Sequence, residues 1–170
     1  MAKLNPFGTA PHTSQEWLLG CYAPGWPSGT TWYVQVSDGT DEAYSAAGSE
    51  RGLSPGKPFA TLAYAIADPA VVASRNTQIV LLPGHTETIT GAAGVNLNKI
   101  GVAIIGEGYG RNRPIIDFTT DVAASFDINS ASCSVRNCVF RNSIDAQTAM
   151  INVKASDFTL EDCEIQLADG

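Results

Sequence analysis

The sequence predicts an all-β solenoid, and three observations carry that reading. The stretch beginning at Phe126 is repeated from Ile151 at a constant offset of 25 positions: Phe126 over Ile151, Ile128 over Val153, Cys133 over Phe158, Val135 over Leu160, Cys138 over Cys163 and Phe140 over Ile165. Within each copy the apolar residues alternate with polar ones, which is the period of a half-buried strand. Asn137 and Asp162 hold the same place between two alternating runs, and Asn and Asp tolerate the left-handed backbone that a sharp corner requires. A period in the twenties with strand patterning means stacked β-coils, each burying its inner face against its neighbours. Residues 97–106 supply a more degenerate third copy at an offset of 31, with Leu97 over Ile128, Val102 over Cys133, Ile104 over Val135 and Gly106 over Asn137. The glycine-rich stretch 106–114 reads as a loop that takes up the excess. In this register Val135, Phe140, Leu160 and Ile165 point inward and touch their equivalents one coil away. Leu160→Asp is therefore expected to cost several kcal/mol, by placing an unpaired carboxylate among apolar rows.

Taken in order, the chain opens with residues 1–31, which do not share the pattern. They hold Pro6, Pro11, Pro24 and Pro27 among large apolar groups. Thr13 followed by Glu16 is a capping-box spacing, so a short helical stretch is expected over 14–19. An arm of this composition makes no core of its own and packs on the solenoid or on another protein; Phe7, Trp17, Leu18, Tyr22 and Trp26 are its candidate partner-binding residues. The solenoid domain is assigned to 32–170. Residues 32–37 alternate as a first strand, and 38–57 form a polar loop. Residues 58–67 read as a helix with Phe59, Leu62, Ala63 and Ile66 on one face and Pro58 in its first turn, covering the start of the first coil. Asp68-Pro69 ends it, with a further short turn expected at 71–74. A strand at 77–82 stops at Pro83-Gly84, and 85–89 resume the coil.

Composition narrows the partners. Ten Lys plus Arg against seventeen Asp plus Glu give a formal charge of −7, which argues against a basic nucleic-acid surface. Cys21, Cys133, Cys138 and Cys163 form no CxxC pair and have no His at ligand spacing, so no metal is expected. The last three replace Val, Leu, Phe or Ile in the repeat and read as small buried hydrophobes, with a Cys138–Cys163 disulfide between adjacent coils as the alternative. The sequence holds no apolar stretch of membrane-spanning length and no signal-like start, which leads to the expectation of a protein made and assembled in the cytoplasm, away from membranes.

The runs TWYVQVSDGTDE, GLSPGKPFATLAYAIA and TQIVLLPGHTETI, followed by coils ending in SVRNCVF and TLEDCEI, resemble the amino-terminal part of the pectate-lyase-like right-handed parallel β-helix superfamily, its phage-encoded members in particular. The resemblance begins near Trp32 and leaves the arm without a counterpart. It implies a short right-handed parallel β-helix of about three to four coils with an N-terminal capping helix. It is nearly silent on activity, because that fold hosts lyases, hydrolases, adhesins and virion spikes alike.

A sugar-cleaving site needs two outward carboxylates about a sugar apart, or a carboxylate cluster for Ca²⁺ beside a base. Asp117, Asp121, Asp127 and Asp145, with Arg136 and Arg141, are the candidates. In the 25-residue register, however, Asp127 falls over Asn152, Arg136 over Glu161 and Arg141 over Gln166, with no acid over another acid. Arg136 over Glu161 reads as an ion pair between coils. His85 has no evident acidic or cysteine partner and reads as a turn residue bonded to backbone. The Gly106-Glu-Gly-Tyr-Gly run lacks the strand-to-helix context of a phosphate loop. The expectation is therefore a structural protein of the phage virion with no catalytic residues and no cofactor. In this reading it is a head decoration or cement protein whose arm holds the major capsid protein or another virion protein. The alternative is a carbohydrate-binding or carbohydrate-cleaving tailspike fragment, a lyase or glycoside hydrolase. With no capping sequence after Leu167, the last coil is expected to expose an apolar end, covered in a homo-oligomer, a trimer by the resemblance, or by further coils.

Overall fold

The computed structural model describes residues 30–44, 50–73, 77–119 and 121–167. Among them the alternating runs become twelve strands of three or four residues: β1 (Thr31–Val34), β2 (Gln78–Leu81), β3 (Thr86–Thr88), β4 (Val95–Leu97), β5 (Ala103–Gly106), β6 (Ile115–Phe118), β7 (Phe126–Ile128), β8 (Ser134–Arg136), β9 (Val139–Asn142), β10 (Ile151–Val153), β11 (Thr159–Glu161) and β12 (Glu164–Gln166). One α-helix, α1 (Leu62–Ala67), and one 3-10 turn, Gly110–Asn112, are the only helical pieces of these residues. The ladders between strands are parallel, in three sheets ordered β1-β2-β5-β8-β11, β3-β6-β9-β12 and β4-β7-β10. From β2 onward, consecutive strands enter the three sheets in turn, and each pairs with the strand three places later. Parallel neighbours need a crossover connection; here the crossover consists of the two intervening strands.

The register follows the sequence repeat. Phe126 pairs with Ile151, Val135 with Leu160 and Phe140 with Ile165, while Leu97 pairs with Ile128 and Ile104 with Val135 at the longer offset. Much of the length difference sits between β5 and β6, where residues 107–114 occupy a corner that Asn137 and Cys138 alone turn between β8 and β9. Asn137 and Asp162 adopt φ of 54° and 52°, as the corner assignment requires. The Asn137 amide also donates to the carbonyls of Gly106 at 2.8 Å and Gly108 at 3.1 Å. Gly106 is glycine for lack of room, since a Cβ there would lie 2.3 Å from the Asn137 carbonyl oxygen. A second corner went unread in the sequence: Gly101, Ser132 and Asp157 repeat at the same offsets with φ of 76°, 57° and 61°, and Ser132 Oγ donates to Asp157 Oδ2 at 3.0 Å.

The three sheets contribute to one apolar cluster. Its columns run along the stack: Trp32, Ile79, Ile104, Val135 and Leu160 in the first sheet, and Ile116, Phe140 and Ile165 in the second. All are buried except the last of each, Leu160 at 38% and Ile165 at 53% exposed. These two pair with Val135 and Phe140 in the expected register, but no strand of the described residues lies beyond them, so the cost of several kcal/mol expected for Leu160→Asp is corrected: the side chain is partly open. Phe158 and Cys163 are only partly buried, and Val153 and Leu167 are exposed.

The start of the stack is built differently. The first strand covers 31–34 and not 32–37, because Gln35 N–H turns away to the Phe59 carbonyl at 2.8 Å and Val36 N–H to the His85 ring at 3.1 Å. The helix begins at Leu62 and not at Pro58: Phe59 is held as a parallel bridge to Val34, and Thr61 is the N-cap, its hydroxyl accepting from Tyr64 N–H at 3.2 Å. Asp41 fixes that cap, accepting from Ala60 N–H at 2.8 Å and from Thr61 N–H and Oγ1. The buried face of α1 is Leu62, Ala65 and Ile66, with Ala65 in the place expected of Ala63. The helix packs against β1, β2 and β4 and ends at Asp68. Val71 is buried without a helix around it.

Candidate functional site

The outward positions of the second and third sheets hold the carboxylates on which a cleavage reaction would depend, and the structure shows what each one does. Asp117 on β6 accepts from Arg141 of the next strand in its sheet, through Nη2 at 2.7 Å and Nε at 3.4 Å. These bonds push the Arg141 guanidinium further up from its already high pKa. Asp127 on β7 is buried beneath Lys154 at 2.5 Å and Asn152 at 3.0 Å from β10 and its flank, with Ser125 Oγ at 2.8 Å. Burial pushes its carboxyl up, but the bonds from Lys154, Asn152 and Ser125 outweigh burial and hold it below the usual carboxylate range. Arg136 on β8 pairs with Glu161 on β11 at 3.2 Å and lies 3.6 Å from Asp162. Asp121 caps a turn by accepting from Ala123 N–H at 2.8 Å, and Asp145 is exposed on the β9–β10 connection. The structure therefore does not gather these side chains into one centre. Asp117, Asp127, Arg136 and Arg141 link successive cycles of strands, and Asp121 and Asp145 stand on the connections.

A cleft of about 510 Å³ opens beside the Gly110–Asn112 turn, over a floor of Ile115 and Val139. Arg111, Arg113 and Arg141 line it together with Glu164. Arg113 is committed to Glu164 at 3.2 Å and to the carbonyls of Cys138 and Asp162, and its Nε is buried with no hydrogen-bond partner among the described residues. With Arg141 held by Asp117, two of the three guanidinium groups are already neutralised. Tyr109, two residues before Arg111, is 86% exposed.

The most enclosed polar cluster lies at the start of the stack. His85 and Glu87 are both buried, and Glu87 occupies the inward column continued by Ile116, Phe140 and Ile165. Its Oε2 accepts from Leu62 N–H at 2.8 Å and lies 3.2 Å from His85 Nε2, while Oε1 accepts from Ala63 N–H at 3.3 Å. The two N–H groups are orphan donors of the first turn of α1, so a carboxylate takes the place of an apolar side chain. His85 thus has the acidic partner that the sequence reading missed. The signal was present in the two-residue spacing of His85 and Glu87, but alternation assigns residues two apart to one face without saying that this face is inside.

Cys133, Cys138 and Cys163 are free thiols, each donating to a backbone carbonyl at 3.3–3.4 Å, so Cys138 and Cys163 form no disulfide. Burial pushes all three thiols up, Cys138 most strongly. Cys21 and the arm candidates Phe7, Trp17, Leu18, Tyr22 and Trp26 lie outside the described residues. Among the described residues no helix is long and apolar enough to cross a membrane, and no three His, Cys, Asp or Glu side chains are grouped to hold a metal ion. Comparison of the chain with protein-family models, with curated proteins and with solved structures finds no match.

Proposed function

We propose that the chain is a short right-handed parallel β-helix that serves as a non-enzymatic structural protein of a phage particle. In this reading it is a head decoration or cement protein, attached through residues 1–31 to the major capsid protein or another virion protein. One observation carries the structural role: the outward ionic side chains are spent on joining cycles of strands, each to the next in Asp117–Arg141, Asp127–Lys154 and Arg136–Glu161 and across two cycles in Arg113–Glu164. A carboxylate held by a neighbouring cation is ill suited to moving a proton at neutral pH. Neighbouring copies, in a trimer by the resemblance, cover Leu160, Ile165 and Leu167 in the assembled particle. Quantifying the protein on purified particles tests the proposal. Stoichiometric recovery with intact heads, lost when residues 1–31 are deleted, is the expected result. Light scattering on the 170-residue chain is expected to show an oligomer, and a monomer that binds no hydrophobic dye would refute the covering by copies.

A second reading, a carbohydrate-binding or carbohydrate-cleaving tail protein, is favoured by the cleft lined by Arg111, Arg113, Arg141 and Glu164, since convergent polar groups in a concave site suit a sugar ring. Recovery with tails and release of reducing sugar from host polysaccharide would establish it instead.

A further inference from the structure

The His85–Glu87 cluster does more than satisfy itself, because it ties together three separate parts of the chain. Val36 N–H can only donate, so the His85 Nδ1 that it meets at 3.1 Å carries a lone pair and no proton. The neutral ring must therefore hold its proton on Nε2, which donates to Glu87 Oε2 at 3.2 Å. Glu87 in turn holds the first turn of α1 through Leu62 and Ala63. One imidazole in one tautomer thus fastens the segment after β1 to β3 and, through Glu87, to the helix.

We propose that His85 and Glu87 form an acid-sensitive latch that holds the segment following β1 on the first edge of the stack. A proton taken from solvent onto Nδ1 leaves two donors, Nδ1–H and Val36 N–H, facing each other where one bond had been. The imidazolium keeps its partner in Glu87, so the bond to Val36 is the one that breaks. Val36 is 48% exposed, and the bond to His85 is released locally, between Gln35 and Thr40, whose N–H groups are bonded to the Phe59 and Pro58 carbonyls. Gln35 stays anchored through Phe59 and through its side-chain amide to the Pro83 carbonyl. The charged groups on the elements around the ring do not take over the role of His85. Asp41 is bound to Ala60 and Thr61, and Arg113, on the corner before β6, is turned to Glu164 and the carbonyls of Cys138 and Asp162. Lys99, near the far end of α1, donates to the Asp68 carbonyl.

The test is NMR on the full chain as the pH is lowered from about 7.5 to about 5. Ring nitrogen shifts are expected to show the Nε2–H tautomer at neutral pH. As the ring titrates, the exchange protection of the Val36 amide, corrected for intrinsic rate, should fall by about tenfold, the loss expected for one net hydrogen bond. Leu62 and Ala63 should stay protected. His85→Asn, whose Oδ1 can accept from Val36 without titrating, should keep Val36 protection flat across the range. If that variant fails to fold, the wild-type ring shifts and Val36 exchange decide alone. An Nδ1–H tautomer, a ring that titrates with no change at Val36, or a ring that stays neutral until the whole chain unfolds would each overturn the latch.

Discussion

The first and last described cycles of the stack are made from the same columns, but the first is closed and the last is open among the described residues. At the start, the edge of β1 is occupied: Tyr33 N–H donates to Gly52 at 2.7 Å, Phe59 N–H to Tyr33 at 2.9 Å, and Gln35 N–H to Phe59 at 2.8 Å. A helix lies across the first cycle, with its N-terminus on a buried carboxylate. At the far end, β10, β11 and β12 each stand last in their sheet, and Leu160 and Ile165 lie open above Val135 and Phe140. Register decides which way a side chain points; burial also needs a layer to follow. Identical positions in a repeat can therefore differ several-fold in what they contribute to stability.

The largest test of that difference compares two substitutions in one column. Val135→Asp, between Ile104 and Leu160, should cost about 4 kcal/mol and leave little folded protein, whereas Leu160→Asp should cost about 1 kcal/mol or less in the dissociated monomer. Chemical denaturation measures both. Equal losses would show that the last cycle is covered in solution. Next comes the closed end itself: Glu87→Ala strands Leu62 N–H, Ala63 N–H and His85, and should lower stability by about 3 kcal/mol without changing the oligomeric state.

Whether the bare last cycle is nevertheless fastened from outside can be read from Asp127, which Lys154 and Asn152 hold. Asp127→Asn should cost about 1–2 kcal/mol near neutral pH. The folded-state pKa of Asp127 lies below its unfolded value, so its contribution is complete above about pH 4 and is lost as pH falls through the lower folded value. The gap between wild type and variant should stay constant down to about pH 4 and then close. A gap that widens in acid would reverse the sign. The smallest effect belongs to Arg136 and Glu161: a double-mutant cycle should give about 0.5 kcal/mol of coupling, shrinking in high salt.

Most of the strand architecture was legible because a 25-residue offset shifts apolar, corner and charged positions together. Asn137 over Asp162 and Arg136 over Glu161 were readable for that reason. The start of the stack was not. Phe59 looks helical by spacing, but a parallel bridge to Val34 takes its backbone. Pro58 looks like a first-turn residue, but the cap lies at Thr61, held by Asp41, and the helix begins four residues later than Pro58. Glu87 stands at an inward position that a hydrophobicity pattern assigns to an apolar residue, and only the three-dimensional approach of α1 explains its carboxylate. Local periodicity carries information about what repeats; a closure occurs once and leaves no second copy against which to read it. The candidate site fared likewise: sequence named the outward acids and the arginines, but the pairing of Asp117 with Arg141 depends on a 24-residue register in the second sheet, which differs from the 25 read elsewhere.

Pairing each strand with the one three places on also sets an order of assembly. Among the described residues no ladder joins distant parts of the sequence: β1 and β2 pair at an offset of 47, and in β2 to β12 partners lie 24 to 31 positions apart, so these strands pair without closing a loop that spans them all. In such a nearest-neighbour chain each completed cycle presents the edges on which the next one condenses. A polypeptide leaving the ribosome can thus fold in step with its synthesis, the capped start serving as the template and each later segment of roughly 25 residues docking as it emerges.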